Sequence, residues 1–475
     1  MSARAGRHRY RYAVLVVVAA AALPSCVTTR NSLFVDVDAA AERGDFAGAA
    51  ETLDRNADDV YRRRDTVLRH LDLGVLYHYA GDYRRSLREL QEAERLIEEL
   101  FTRSVTQVAG TLIVNDTVED YSGQDFEDIY LNVFNAVSYL ELGDFDAAFV
   151  EVRRINTKLN LLQDKYVGLA AEYNRAGDSG GGFRAGNVRF HNSALARYLS
   201  MQLYRTAGDY DSARIDWNQI QNAFANQPDL YDFPLPLDDA VLDQPEQARL
   251  SVLAFVGRAP LKRAEELTVV TSTDHVIVSY AGDSDEGLLI PEGLAFVSVP
   301  GVEEGYRFVF QMPRMELRGT AVTSLNVLAD GALVGQLSLL ESLERVAQDT
   351  FQARLPIVYL RTVTRAVLKG IAAERAKEGL NTAAAEADSV AGALFGIIGS
   401  VAADVAVEAS EVADLRTSRY FPSEAHVGEF LLEPGEYEIE VEYVAGNGTV
   451  LARKNHGIVP VTAGREHLVT SFLFQ

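Results

Sequence analysis

The sequence predicts a multidomain protein in which an all-α helical-repeat domain precedes an α+β domain that ends in an antiparallel β meander or sandwich. Three observations carry this expectation. A Gly-Asp-aromatic string recurs four times in the first half, each time between two stretches of helical periodicity. A proline-rich acidic stretch, residues 226–247, then interrupts the chain, because proline forbids a continued helix and biases the residue before it to extended geometry. Beyond it, β-branched and aromatic residues alternate with polar ones at a period of two. A chain of 475 residues is too long for one ordinary core, and 48% hydrophobic with 24% charged residues is a globular composition.

Residues 1–25 stand outside that globule. Arg4, Arg7, Arg9 and Arg11 make a basic start, and Ala13–Leu23 is an uncharged apolar run of eleven residues, which fits a signal-peptide core and is short of a bilayer span. Leu23-Pro24-Ser25-Cys26 follows, and Cys26 is the only cysteine. A small residue before a lone cysteine at the end of such a run resembles the lipobox of bacterial lipoproteins. The resemblance implies cleavage before Cys26, acylation of its thiol, and a lipid anchor firm enough to hold an exported protein on a membrane. Val27, in place of an acidic residue, favours the outer membrane in a cell that has one. An ordinary secretory signal or an uncleaved anchor is the alternative. Losing the four arginines takes the formal charge from −23 to −27, which argues against nucleic acid and anionic headgroups as general partners. One committed cysteine leaves no intrachain disulfide and no zinc–thiolate site.

The repeat domain is expected over residues 26–225. Its turns are Gly44-Asp45-Phe46, Gly81-Asp82-Tyr83, Gly143-Asp144-Phe145 and Gly208-Asp209-Tyr210, spaced by 37, 62 and 65 residues. In the second copy Gly74 and Tyr77, then Ser86, Leu90 and Ala93, resemble a tetratricopeptide (TPR-like) repeat. Small residues there let two antiparallel helices approach, and the aromatic fills the space between layers. Ala49 and Leu53, Ala148 and Val152, and Ala213 and Trp217 keep the small-then-large pattern without the early glycine. The longer intervals imply insertions at 103–122, read as a loop or short hairpin, and at 176–187. The second holds Gly177-Asp178-Ser179-Gly180-Gly181, a string that also surrounds the nucleophile of chymotrypsin-like proteases. That chemistry needs an all-β double barrel, whereas helical patterns flank Ser179 on both sides. Nor does the string end as a phosphate-binding loop does. An inter-helix loop is the expectation.

Residues 226–248 read as a linker, or a strap over the following domain, residues 249–475. There Leu250–Val256, Leu267–Val270, His275–Tyr280, Tyr306–Phe310 and Val322–Val327 read as strands. Helical patterns at Leu337–Lys377 and Thr382–Leu415 predict a helical insertion over about 337–415. Tyr437, Ile439, Val441 and Tyr443 alternate with glutamates, and Pro434-Gly435 and Asn447-Gly448 supply turns on either side. Four strands over about 426–474 are expected as a meander, similar to the small sandwich modules of bacterial surface proteins. Ser389–Ala403 is fifteen residues without charge and contains Gly392 and Gly396, a spacing that lets helices meet closely in lipid. It is short of a span and reads as a buried helix, with an oligomer contact or a membrane dip as alternatives.

No pattern identifies catalytic residues. The eight histidines form no H-E-x-x-H or H-x-H pair, His70 and His78 read as surface or core groups of a repeat helix, and the acidic cluster Asp54–Asp59 lacks the glycine and closing glutamate of a calcium loop. No metal and no cofactor is therefore expected. Asp125–Phe145, Gly257–Lys262 (G-R-A-P-L-K) and Ala413–Pro422 (A-D-L-R-T-S-R-Y-F-P), taken with the lipobox, resemble a family of bacterial lipoproteins with a tetratricopeptide-like front half, over nearly the whole mature chain. The resemblance implies a cell-envelope protein and brings no assigned activity. Within these motifs Lys262, Asp414 and Arg416 are the candidate partner or ligand contacts, with a structural ion pair as the alternative for the last two. The leading expectation is a protein–protein interaction scaffold that offers an envelope partner the concave face of its repeats. An envelope hydrolase or carbohydrate-binding protein with its site in residues 250–475 is the second, and an assembly or secretion accessory using Ser389–Ala403 the third.

Overall fold

The computed structural model describes residues 25–106, 117, 119–176, 186–244, 246–280, 296–298, 304–305, 307–377 and 412–474. The apolar run Ala13–Leu23 expected as a signal-peptide core, the string around Ser179 and the run Ser389–Ala403 lie outside the described residues.

The first half is helical. α1 (Ser25–Glu42) pairs with α2 (Phe46–Arg55), α3 (Thr66–Tyr79) with α4 (Tyr83–Thr106), α5 (Asp125–Glu141) with α6 (Phe145–Ala176), and α7 (Ala194–Thr206) with α8 (Tyr210–Asn226). Each Gly-Asp-aromatic string joins one pair. Gly44, Gly81, Gly143 and Gly208 take φ of 79°, 76°, 75° and 77°, the left-handed conformation that a Cβ disfavours and that ends a helix. The aspartate that follows starts the next helix by accepting a backbone N–H three residues on: Asp45 from Gly48 (2.9 Å), Asp82 from Arg85, Asp144 from Ala147 (each 3.1 Å) and Asp209 from Ser212 (3.0 Å). At Gly74 an added Cβ would stand 2.6 Å from the Leu90 side chain, so α3 and α4 cross as closely as the small-residue pattern requires. Of the insertion expected at 103–122, residues 103–106 complete α4, and 107–116 and 118 lie outside the described residues.

The second half is rich in strands. β1 (Ala248–Val256), β6 (Val322–Ala329), β7 (Ala332–Ser342), β8 (Glu424–Leu432), β9 (Gly435–Ala445), β10 (Val450–Val461) and β11 (Glu466–Leu473) form one sheet in the order β10-β9-β6-β7-β8-β1-β11. β1 and β11 are parallel and the remaining neighbours antiparallel. β2 (Leu261–Ser272), β3 (His275–Tyr280), β4 (Phe296–Ser298) and β5 (Arg307–Glu316) form a second sheet in the order β4-β3-β2-β5. Helix α9 (Leu343–Lys377) follows β7.

β1 is buried along its whole length. Leu250, Val252, Ala254 and Val256 enter a core shared with Leu325, Val441 and Tyr443, while Leu253 and Phe255 face the helices. Burial on both faces explains why this strand is an apolar run and not an alternation. The helix-facing core is continuous across the two halves. Phe134 of α5 lies 5.4 Å, ring centroid to centroid, from Phe255, and Tyr79 of α3 lies 4.7 Å from Phe472. The inner helices α3, α5 and α7 are thus sandwiched between their outer partners and the sheet. Residues 227–244 lie as a strap on this body, with Leu230, Tyr231 and Val241 buried and the Trp217 indole donating to Asp239 at 2.8 Å.

Three expectations need correction. The last four strands are not a meander: only β9 and β10 pair with each other, around a turn where Gly448 takes φ 81°, whereas β8 lies between β7 and β1 and β11 lies beside β1. Alternation specifies which face of a strand is buried, and Ile439, Val441 and Tyr443 are indeed buried, but it leaves the neighbouring strand open. The helix expected from Leu337 starts at Leu343, because Leu337–Ser342 completes β7; a short apolar run suits either period. At the far end of the same insertion, residues 412–415 are not helical.

Candidate functional site

Gly257–Lys262, Ala413–Pro422 and the start of Asp125–Phe145 converge in space. Gly257–Lys262 leads from β1 into β2, and Ala413–Pro422 runs extended beside it, with Ala259 N–H donating to the Phe421 carbonyl at 2.7 Å and Ser423 N–H to the Val256 carbonyl at 3.0 Å. Two buried carboxylates of the helices hold the extended segment. Asp72 of α3 accepts from Ser418 Oγ (2.7 Å), Arg419 N–H (2.8 Å) and Tyr61 OH (2.7 Å). Glu127 of α5 accepts from Ser418 N–H (2.5 Å), Thr417 Oγ1 (3.1 Å), Tyr121 OH and Gln124 N–H (both 2.7 Å). Burial pushes the Asp72 carboxyl up to about 6 and raises that of Glu127, against the lowering effect of these donors.

Lys262, Asp414 and Arg416 come together at one cleft. Arg416 grips Asp414 through Nε and Nη2, both at 2.8 Å, and extends Nη1 to Asp65 (3.1 Å) and the Glu119 carbonyl (3.0 Å), with its guanidinium 5.2 Å from the Tyr121 ring centroid. Burial raises Asp414's pKa, but Arg416 and Lys262 outweigh it and leave the carboxyl below its ordinary value. Lys262 is buried, and its ammonium makes no hydrogen bond among the described residues. Burial lowers it from 10.5 to about 8; Arg354 and Arg416 act in the same direction, and Asp414 and Glu127 oppose.

The cleft has a volume of about 60 Å³. Lys262, Arg354, Arg361, Arg365 and Arg416 line it with three carboxylates, Glu119, Asp120 and Asp414. Glu119 pairs with Arg361 at 3.2 Å, and Arg354 donates to the Gly123 carbonyl. Sequence reasoning missed Arg354, Arg361 and Arg365. Their spacings of seven and four residues place them on one face of α9, which is the signal that could have found them.

A second, larger hollow of about 880 Å³ lies between α4, α5 and α6. Phe101 and Leu161 are exposed on it, the latter at 58%. Its cations are paired in place: Lys158 with Glu94 (2.8 Å) and Asp128 (2.7 Å), Arg154 with Glu94 (2.7 Å), Arg95 with Glu92 (2.6 Å), and Lys165 with Asp125. Elsewhere His70 pairs with Glu89, and His78 is buried against Ser138 Oγ at 2.7 Å. Cys26 lies in α1. Among the described residues no group of His, Cys, Asp or Glu could hold a metal ion, and no helix is long and apolar enough to cross a membrane.

No family model, curated protein or solved structure matches this chain. Its fold and site define it by construction: a row of helical hairpins closed by a mixed sheet, with a cation-lined cleft where the two halves meet.

Proposed function

We propose that this is an exported cell-envelope protein, anchored by acylation of Cys26, that binds a protein partner through its TPR-like helical hairpins and belongs with the lipoproteins its motifs resemble. The lipobox and the four capped Gly-Asp turns support this reading, and so does the close α3–α4 crossing at Gly74. The observation that carries it is the α4–α6 hollow. The inner helices α3, α5 and α7 are covered by the chain's own sheet, so the partner docks on the outer side and not on the concave face. There Phe101 and Leu161 offer apolar contacts among cations already neutralised by the chain's own carboxylates, a surface suited to the apolar face of an amphipathic helix from an envelope protein.

A photo-crosslinking residue placed at Leu161 or Phe101 tests this in native membranes. One discrete partner is expected, lost on Leu161→Arg, and Cys26→Ser should release the protein from the membrane fraction. Failure to capture a discrete partner at either position overturns the docking site, and membrane retention of Cys26→Ser overturns the anchor. The second reading, a hydrolase or carbohydrate-binding protein, is favoured only by the cleft around Lys262.

A further inference from the structure

We propose that the cleft at the seam of the two halves binds a small free oxyanion, a carboxylate or phosphate group, with the Lys262 ammonium as its principal charge partner. This goes beyond the scaffold reading and does not depend on it, because the α4–α6 hollow is a separate cavity.

The inference starts from an unbalanced buried charge. An ammonium removed from water is costly unless an opposite charge and hydrogen bonds replace the solvent. Of the three carboxylates lining the cleft, Glu119 is engaged by Arg361, Asp414 by both Nε and Nη2 of Arg416, and Asp120 is exposed to solvent. Glu127 is occupied by the donors of residues 417 and 418 and by Tyr121 and Gln124. The groups that face Lys262 are Asp414 and Arg416 of the extended segment, Glu127 of α5 and Arg354 of α9, and none of them hydrogen-bonds its ammonium. Lys262 therefore presents three N–H donors to the open space of the cleft.

The size and sign of that space select the ligand. A volume of about 60 Å³ has room for about four waters, or for one group of similar size such as a carboxylate or phosphate. Five cationic side chains against three carboxylates make the lining positive in a chain whose formal charge is −23. That same overall charge repels an anionic bilayer, so the source is a free ion or metabolite and not a lipid headgroup. Arg354, Arg361 and Arg365, on one face of α9, line the cleft and add to its positive charge.

The test is calorimetric titration of the full chain with inorganic phosphate and with acetate at constant ionic strength, beside vesicles of phosphatidylglycerol. Saturable binding of at least one ion is expected at mildly acidic pH. It should weaken about tenfold or more in Lys262→Met, since a hydrogen bond to a charged group contributes about that factor or more. Lys262→Arg should retain it. In the wild type the affinity should fall as pH rises through about 8, where the ammonium gives up its proton, and this arm stands even if a substituted chain misfolds. Absence of saturable binding, equal binding by wild type and Lys262→Met, or binding to vesicles alone overturns the proposal.

Discussion

Lys262→Met also probes the cleft with no ligand present. In the folded chain burial brings the ammonium from 10.5 to about 8. Below pH 8 the amine is charged in both folded and unfolded chains, and folding bears the full cost of burying it. Between about 8 and 10.5 the folded chain has released the proton while the unfolded chain still holds it, so stability rises with pH across that window. Above it both forms are neutral and the cost is gone. The gap corresponds to about 3 kcal/mol. Methionine fills similar space without charge, and Asp414 keeps Arg416 as its partner. The variant should therefore be more stable than the wild type by up to about 3 kcal/mol near neutral pH, and the advantage should shrink towards zero as pH approaches 10.5. Urea unfolding of both proteins across this range, in buffers free of phosphate and carboxylate, measures the difference and cancels every other titrating group. A pH-independent difference, or a variant less stable at neutral pH, refutes the reasoning.

Two substitutions test the interior. Glu341 accepts from the Tyr130 and Tyr231 hydroxyls (both 2.7 Å), from Ser193 Oγ (2.9 Å) and from Leu195 N–H (3.1 Å), so Glu341→Ala should leave several buried donors unpaired at about 1–3 kcal/mol each. Thermal melting should show a large drop that Glu341→Gln partly restores, and equal melting of the two variants would show that the donors find other partners. Gly74→Val forces a branched side chain against Leu90, and a loss of about 1–3 kcal/mol is expected for such overpacking. An unchanged melting temperature would mean that α3 and α4 separate without penalty.

What was legible in the sequence is what local chemistry determines. The turns at Gly44, Gly81, Gly143 and Gly208 could be read because a left-handed residue and a capping aspartate stand side by side in the chain. The buried face of β9 could be read for a similar reason, since its side chains alternate with period two. Strand order could not, because β8 meets β1 across more than half of this domain's chain and no local string encodes that pairing. The cleft divides along the same line. Lys262, Asp414 and Arg416 stand in distinctive strings, whereas Arg354, Arg361 and Arg365 share a helix face whose neighbour is supplied from elsewhere.

Asp72 and Glu127 show why such remoteness matters energetically. In so acidic a chain either residue reads as one more solvated carboxylate, yet both are buried. A carboxylate buried without donors is severely unfavourable, and here the donors Ser418 and Arg419 arrive from 346 and 347 residues beyond Asp72, and Ser418 from 291 beyond Glu127. The helices therefore cannot close over these two side chains until the extended segment is in place. That segment also carries Asp414 and Arg416, so the contacts that complete the fold are the same ones that build the wall of the cleft.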